Sequence, residues 1–147
     1  MTKDDLFREA GRGNVEILKY PETFTAKDNW GRLPLHWLAK KGCKEVLKYP
    51  ETFTVKANDG SLPLHFLAEK GCKEVLNYPE TFTVKNNFGW LPLHWLARSS
   101  EVSVKDLPEE YRQRAKYLKF RINKKLIEEE IDRMLEIPNS ILFVMEG

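Results

Sequence analysis

A 29-residue internal repeat constrains this chain more than any other feature. Residues 27–55 and 56–84 are identical at 23 of 29 positions, and the same step continues in both directions through prolines and glycines spaced 29 apart. The sequence therefore predicts four units, at 1–26, 27–55, 56–84 and 85–109, of which the outer two are degenerate. Residues 110–147 follow as a C-terminal extension.

Each unit has the pattern of two short helices. Pro34 suits the first turn of a helix, and Gly42 suits the left-handed residue that ends one. Val46 and its neighbours give a second apolar face of about two turns, which Pro50 stops because the residue before a proline avoids the helical region. The stretch rich in Thr, Phe and Val that follows is predicted to be extended. A unit this small cannot bury its apolar face alone, so neighbouring units are predicted to stack as a solenoid.

A motif within the repeat resembles a known family. The motif runs Gly31-x-Leu33-Pro34-Leu35-His36-x-Leu38-Ala39-x-x-Gly42 and recurs from Gly60 and from Gly89. It is similar to the ankyrin repeat, whose signature is Gly-x-Thr-Pro-Leu-His-x-Ala-Ala-x-x-Gly. Leu33 replaces the family threonine, Leu38 replaces the first alanine, and the period is 29 rather than about 33. The resemblance implies an all-α fold, an ankyrin-like helical solenoid of about four repeats with a helical C-terminal cap.

Three histidines and two cysteines each occupy one repeat position. A row formed by His36, His65 and His94 is compatible with metal binding or general base chemistry. Stacked units lie roughly 8 to 10 Å apart, however, which is too far for two such side chains to share one metal. The ankyrin resemblance implies instead that each histidine bonds the turn backbone. Cys43 and Cys72 are separated by the same spacing, which predicts reduced thiols rather than a disulfide.

Large aromatic residues also share one position on the first helix of each unit. A column of Trp37, Phe66 and Trp95 is compatible with gripping a ligand. We expect these side chains instead to fill the space between repeats that a shortened second helix leaves.

The turn tips differ between units that are otherwise nearly identical. The ankyrin resemblance implies protruding loops that contact partners, and the aromatic and basic residue types found there are enriched at interfaces. The alternative is that the aromatic side chains only cover neighbouring loops. The predicted partner-binding residues are Lys27, Trp30, Arg32, Lys56, Asp59, Ser61, Lys85, Phe88 and Trp90.

The C-terminal extension is amphipathic and strongly charged. Seven basic residues and no acidic one lie from Arg112 to Lys125, directly before an acidic run. This order favours two helices broken near Asn123 over a single helix, whose dipole the charges would oppose. Residues 110–137 are predicted to cap the last unit. The apolar run 141–145 is predicted to be buried, either in the same chain or as a strand in a homodimer.

Composition excludes several functional classes. The net charge of +2 argues against a surface devoted to nucleic acid, although the basic run could bind nucleic acid locally. No apolar run approaches a membrane span, and the N-terminus lacks a secretory signal, so we expect a cytoplasmic protein with no membrane partner. No catalytic, cofactor or metal motif appears. The sequence therefore predicts a non-enzymatic protein–protein interaction module binding an unidentified protein, with nucleic-acid binding as the alternative.

Overall fold

The computed structural model describes residues 1–140 and is all-helical over that range. Within it there is no strand, only an isolated antiparallel bridge between Ser103 and Lys125. The prediction of an all-α chain is confirmed for these residues. None of the described helices has the length and apolar character needed to cross a bilayer. The α-helices that lie wholly within residues 1–140 are α1 Lys3–Gly11, α2 Pro34–Lys40, α3 Pro63–Glu69, α4 Glu80–Thr83, α5 Pro92–Ser99, α6 Glu109–Tyr117 and α7 Glu128–Leu135.

In the two inner repeats, the first helix begins and ends where the sequence predicts. Pro34 occupies the first turn of α2, where its missing N–H leaves no hydrogen bond unmade. The backbone N–H of Leu33 donates to Nδ1 of His36 at 2.9 Å, which satisfies one of the donors at the helix start. Gly42 follows the helix at φ +83°, a conformation that glycine adopts without the steric cost of a Cβ. The proline, the histidine bond and the glycine all recur in α3, whereas α5 has the proline and the histidine bond but no glycine after its end.

The second half of each repeat corrects the prediction. The expected two-turn helix is a single short 3₁₀ helix, at Lys44–Lys48 in one unit and Lys73–Asn77 in the next. The segment predicted to be extended is also helical in part, as a 3₁₀ turn at Pro50–Thr52 and as α4 in the next unit. Proline stops one helix but also starts another, because its fixed φ is suited to a first helical turn. A buried threonine then stabilises the segment, because Oγ1 of Thr81 donates a hydrogen bond to the carbonyl of Val75 at 2.6 Å.

The repeats pack on one another in chain order. Helix α1 packs on α2, α2 on α3, and α3 on α5. The side chains between them come from repeated positions, and leucines that depart from the ankyrin motif, Leu33 and Leu38 among them, are at most 1% exposed. Each unit therefore buries its apolar face against its neighbours.

The C-terminal extension packs on the last two repeats. Two helices of its described part, α6 and α7, are separated, as the charge pattern predicts, by residues 118–127. The ring of Tyr111 stacks on Phe82 with 3.9 Å between centroids, and α7 packs against α5. Nε2 of His94 lies 2.9 Å from Oδ1 of Asp132, so α7 meets the last repeat through a polar contact as well. The predicted burial of 141–145, and the homodimer suggested for that run, lie outside the described residues.

Candidate functional site

The turn tip of each repeat is closed by an acidic or amide side chain. Oδ1 of Asp28 accepts hydrogen bonds from two backbone N–H groups of its own tip, at 2.9 and 3.0 Å, and Oδ1 of Asn86 does the same at 3.0 Å. The middle unit has Ala57 at this position, and Asp59 accepts the N–H of Ser61 at 2.9 Å instead. The difference between units at this position is therefore explained by which side chain closes the turn, and not by contact with a partner alone.

Successive tips are joined by a ladder of asparagines. The backbone N–H of Asn58 donates to the carbonyl of Trp30 at 2.8 Å, and its side-chain amide donates to the carbonyl of Asn29 at 3.2 Å. One repeat later, Asn87 makes the same two bonds, to the carbonyls of Asp59 at 2.8 Å and Asn58 at 3.0 Å. No role for these asparagines is predicted from the sequence. The signal that could have revealed them is that the same asparagine occurs in all three units at an exposed position, where packing does not require it.

Two glycines with the same backbone conformation allow a test of this ladder. Gly60 and Gly89 have φ values of +81° and +82°, so alanine at either position costs about 1 to 2 kcal/mol of backbone strain. A Cβ on Gly60 would lie 2.7 Å from Oδ1 and 3.0 Å from the backbone N of Asn87, whereas a Cβ on Gly89 meets nothing within 4 Å. We therefore expect Gly60→Ala to lower the free energy of unfolding by about 1 to 3 kcal/mol more than Gly89→Ala does. Urea unfolding of both variants measures the difference, and equal losses would show that the ladder adds nothing to stability.

The predicted partner-binding residues differ in exposure. Trp30 and Phe88 are 60% and 74% exposed, the largest exposures among the aromatic side chains of the described chain. Ser61 is buried and lies 3.4 Å from the side-chain amide of Asn86, so its side chain is not presented at the surface. The lysines at the tips are exposed, while the remaining predicted residues are half-buried, namely Arg32, Asp59 and Trp90.

The tip aromatics continue onto the helix face. Trp30 meets Trp37 edge-on, with 6.3 Å between ring centroids, and Trp90 packs against Trp95 at 5.3 Å. Phe66, between them in the stack, is only 7% exposed, as predicted for core packing. Trp37 and Trp95 remain half-buried, so this aromatic column packs between repeats and also borders the surface.

Three cationic side chains lie over these rings. The guanidinium carbon of Arg32 is 5.1 Å from the ring centroid of Trp37 and 4.9 Å from that of Phe66. Nζ of Lys40 lies 5.0 Å from Trp37, and the guanidinium of Arg98 lies 5.0 Å from the Trp90 ring. Such contacts stabilise a cation without neutralising it. Among residues 1–140, no carboxylate forms an ion pair with any of the three.

Two depressions lie along this face. One, of about 450 Å³, lies between α1 and the first tip, and Trp30 and Trp37 line it. The other, of about 260 Å³, is lined by Arg32, Lys40, Asp59, Ser61, His65, Phe66, Glu69, Asn86, Phe88 and Trp95. We call this second depression the tip groove. The tips supply five of its lining residues, and four of these are predicted partner-binding residues: Arg32, Asp59, Ser61 and Phe88. The fifth is Asn86.

The three histidines join segments that are distant in sequence: His36 bonds within its own unit, His65 bonds the next unit and His94 bonds α7. Nδ1 of His36 accepts a backbone N–H, so the neutral ring carries its hydrogen on Nε2, which donates to the carbonyl of Val55 at 3.0 Å. His65 bonds the carbonyl of Trp90 in the same way, at 2.9 Å. Burial lowers the pKa of His36 to about 4 and also lowers the pKa of His65. The imidazoles of His36 and His65 are therefore neutral at physiological pH, with both nitrogens engaged.

Other polar groups show no metal or redox arrangement in the part of the chain described. Residues 1–140 contain no group of three His, Cys, Asp or Glu side chains that could hold a metal ion. Cys43 and Cys72 are free, as predicted. Burial raises the pKa of both thiols, that of Cys72 to about 11, so both are protonated at neutral pH.

The basic run of the extension is partly neutralised. Arg112 pairs with Glu109, Arg114 with Glu110, and Lys124 with Glu130. The other four basic side chains are exposed and form no ion pair within residues 1–140; they are Lys116, Lys119, Arg121 and Lys125. A depression of about 560 Å³ lies beside α6, lined in part by Lys116 and Lys119.

Comparison with known proteins gives no family for this chain. No protein-family model matches it, and a search of the curated proteins finds no match.

Proposed function

We propose that this chain is a non-enzymatic protein–protein interaction module built as an ankyrin-like solenoid of about four repeats, with residues 110–137 as its helical cap. The packing of α1, α2, α3 and α5 in chain order supports a solenoid. The Pro-Leu-His motif and the histidine bond at each helix start support the ankyrin resemblance. The contacts of α7 with α5 support the cap.

The observation that carries the binding proposal is the rigid display of exposed aromatic side chains at the tips. Trp30 and Phe88 are more than half exposed, yet the backbone of each tip is held by glycine, an internal hydrogen-bonded turn and the asparagine ladder. A preordered loop loses little conformational entropy when a partner binds. Aromatic anchors of this kind supply most of the binding free energy at protein interfaces.

The two free thiols support a reducing compartment, and we propose that the module acts in the cytoplasm. We also propose that it works without a cofactor, since tip display and shape suffice for binding.

Nucleic-acid binding by the extension is the second candidate. The exposed lysines beside the 560 Å³ depression favour it, while the three intramolecular ion pairs of the basic run reduce the charge available to phosphates. Binding of this kind would weaken steeply with salt, because each phosphate contact releases counterions.

The test of the protein-binding proposal removes the two exposed tip aromatics together. We expect Trp30→Ala with Phe88→Ala to leave the melting temperature nearly unchanged, because exposed side chains contribute little to folding. Capture of protein from cells of the source organism, quantified by mass spectrometry, should fall by about 30-fold or more for the specific partner.

A matched control is Tyr117→Ala, which removes an aromatic side chain that is 43% exposed on α6, away from the tips. It should capture the partner as the unaltered chain does. Equal loss in both variants, or a large fall in melting temperature for the tip variant, would contradict the proposal.

A further inference from the structure

The chemistry of the tip groove narrows the class of partner. Arg32 is half-buried there, whereas Lys40 is exposed. The guanidinium carbon of Arg32 lies 5.1 Å and 4.9 Å from the ring centroids of Trp37 and Phe66. Its Nε is buried and has no hydrogen-bond partner. A guanidinium offers five N–H donors in a planar fork that matches a carboxylate. Within the described chain, no carboxylate uses that fork.

The charges around Arg32 are mixed rather than uniformly basic. Lys40 adds a second positive charge to the groove, but Asp59 and Glu69 line it too. Duplex or single-stranded nucleic acid carries a phosphate at every step, so its backbone would pass close to these two carboxylates. A protein segment can carry a single acidic residue among uncharged ones, so it can place a carboxylate at Arg32 without bringing further negative charge next to Asp59 and Glu69.

The size of the groove fits side chains rather than a whole small molecule. Its volume of about 260 Å³ lies below the range of about 300 to 1,000 Å³ usual for small-molecule pockets. Phe66, Phe88 and Trp95 give it apolar walls next to the cations. A partner segment in which an acidic residue stands next to an apolar residue would match both the cations and the apolar walls of the groove.

We propose that the tip groove binds an acidic segment of a protein partner, in which an Asp or Glu carboxylate pairs with Arg32 and an adjacent apolar side chain contacts Phe88 and Trp95. This inference rests on the proposed protein-binding function and specifies the partner of the same surface. The ring contacts hold the guanidinium in place before binding, so little side-chain entropy is lost when the ion pair forms.

The probe is a display library of short random peptides, selected on the purified full-length chain. We expect the selected peptides to be enriched in Asp or Glu next to an apolar residue. Arg32→Met keeps an unbranched side chain against the rings and removes the charge; it should bind the selected peptides about tenfold or more weakly. Lys48→Met, which removes a charge from an exposed position on the 3₁₀ helix Lys44–Lys48, outside the tips and outside the lining of the groove, is the matched control and should bind them normally.

A second comparison does not depend on how the Arg32 variant folds. Replacing the peptide Asp by Asn, or Glu by Gln, should weaken binding to the unaltered chain by about tenfold or more. The same replacement should have almost no effect on binding to folded Arg32→Met, since the partner charge is already absent. Insensitivity of the unaltered chain to the peptide substitution would overturn the inference.

The remaining outcomes separate the two proposals. Peptides that depend on Trp30 and Phe88 but lack acidic residues would overturn this inference and leave the protein-binding function standing. Failure to select any peptide that depends on the tip aromatics would overturn both. An oligothymidylate that displaces the selected peptides from the tip groove would assign it to nucleic acid and overturn the acidic-segment inference.

Discussion

Removal of residues 110–147 should abolish the cooperative unfolding of the repeats that remain. Helix α7 packs on α5 and buries Ile131 and Met134 completely, and Asp132 bonds His94 at the end of the stack. Without this cover, the apolar face of the last repeat meets water, and a large exposed apolar patch promotes association. Urea unfolding followed by circular dichroism should show a broad transition, and light scattering should show aggregates.

Point variants of the full chain distinguish the loss of the α7 contacts from the shortening of the chain. Ile131→Asp with Met134→Asp should reproduce the truncation, because each places a charge in a buried site at a cost of several kcal/mol. Glu128→Gln with Glu129→Gln changes two exposed residues of the same helix and should unfold as the unaltered chain does. A stable, monomeric and cooperative fragment of residues 1–109 would contradict the capping role.

Acidification from neutral pH should destabilise the fold before most carboxylates titrate. The pKa of His36 falls from its usual 6.5 to about 4 on burial, and that of His65 is lowered for the same reason. Because the unfolded chain takes up these protons first, stability is fully present above about pH 6.5 and is lost as the pH falls towards 4. His36 alone should cost about 2 kcal/mol by about pH 5. Denaturant unfolding across this range measures the slope.

The carboxylates act in a lower window. The pKa values of Asp5, Asp106 and Glu109 are lowered, first by hydrogen bonds, so their stabilising contributions are present above the usual carboxyl range and lost only below it. A control with His36→Gln and His65→Gln should be less stable at neutral pH but should have a flatter profile between about pH 6.5 and 5. A profile as steep as that of the unaltered chain would show that other groups cause the loss.

The starts of the repeated helices could be predicted from the sequence. Pro34 at the first turn and Gly42 beyond the last are local signals, and their local geometry does not depend on distant residues. The histidine bond to the turn backbone also followed, through the ankyrin resemblance. The break between α6 and α7 was readable from charge order, because like charges at the wrong helix end are unfavourable.

The features that were missed depend on contacts between repeats. The asparagine ladder joins residues 29 apart, so no local pattern in a single unit reveals that Asn58 and Asn87 bridge two tips. The helical turn at Pro50–Thr52 was predicted to be extended because only the stopping effect of proline was considered. The threonine bond that supports such a turn forms only when its hydroxyl is buried, as in Thr81, and burial is set by the neighbouring units.

In the middle tip, Asp59 closes the turn because position 57 is an alanine. This change determines how far apart a partner's contacts must be. Because Asp59 is occupied in closing the middle tip, its position carries no aromatic side chain, and the two exposed rings, Trp30 and Phe88, stand two units apart. At roughly 8 to 10 Å per stacked unit, they are separated by about 16 to 20 Å, which an extended chain rising about 3.3 Å per residue crosses in five or six residues. A partner segment that touches both rings must therefore repeat its apolar contacts at that interval, and a shorter linear motif can reach only one of them.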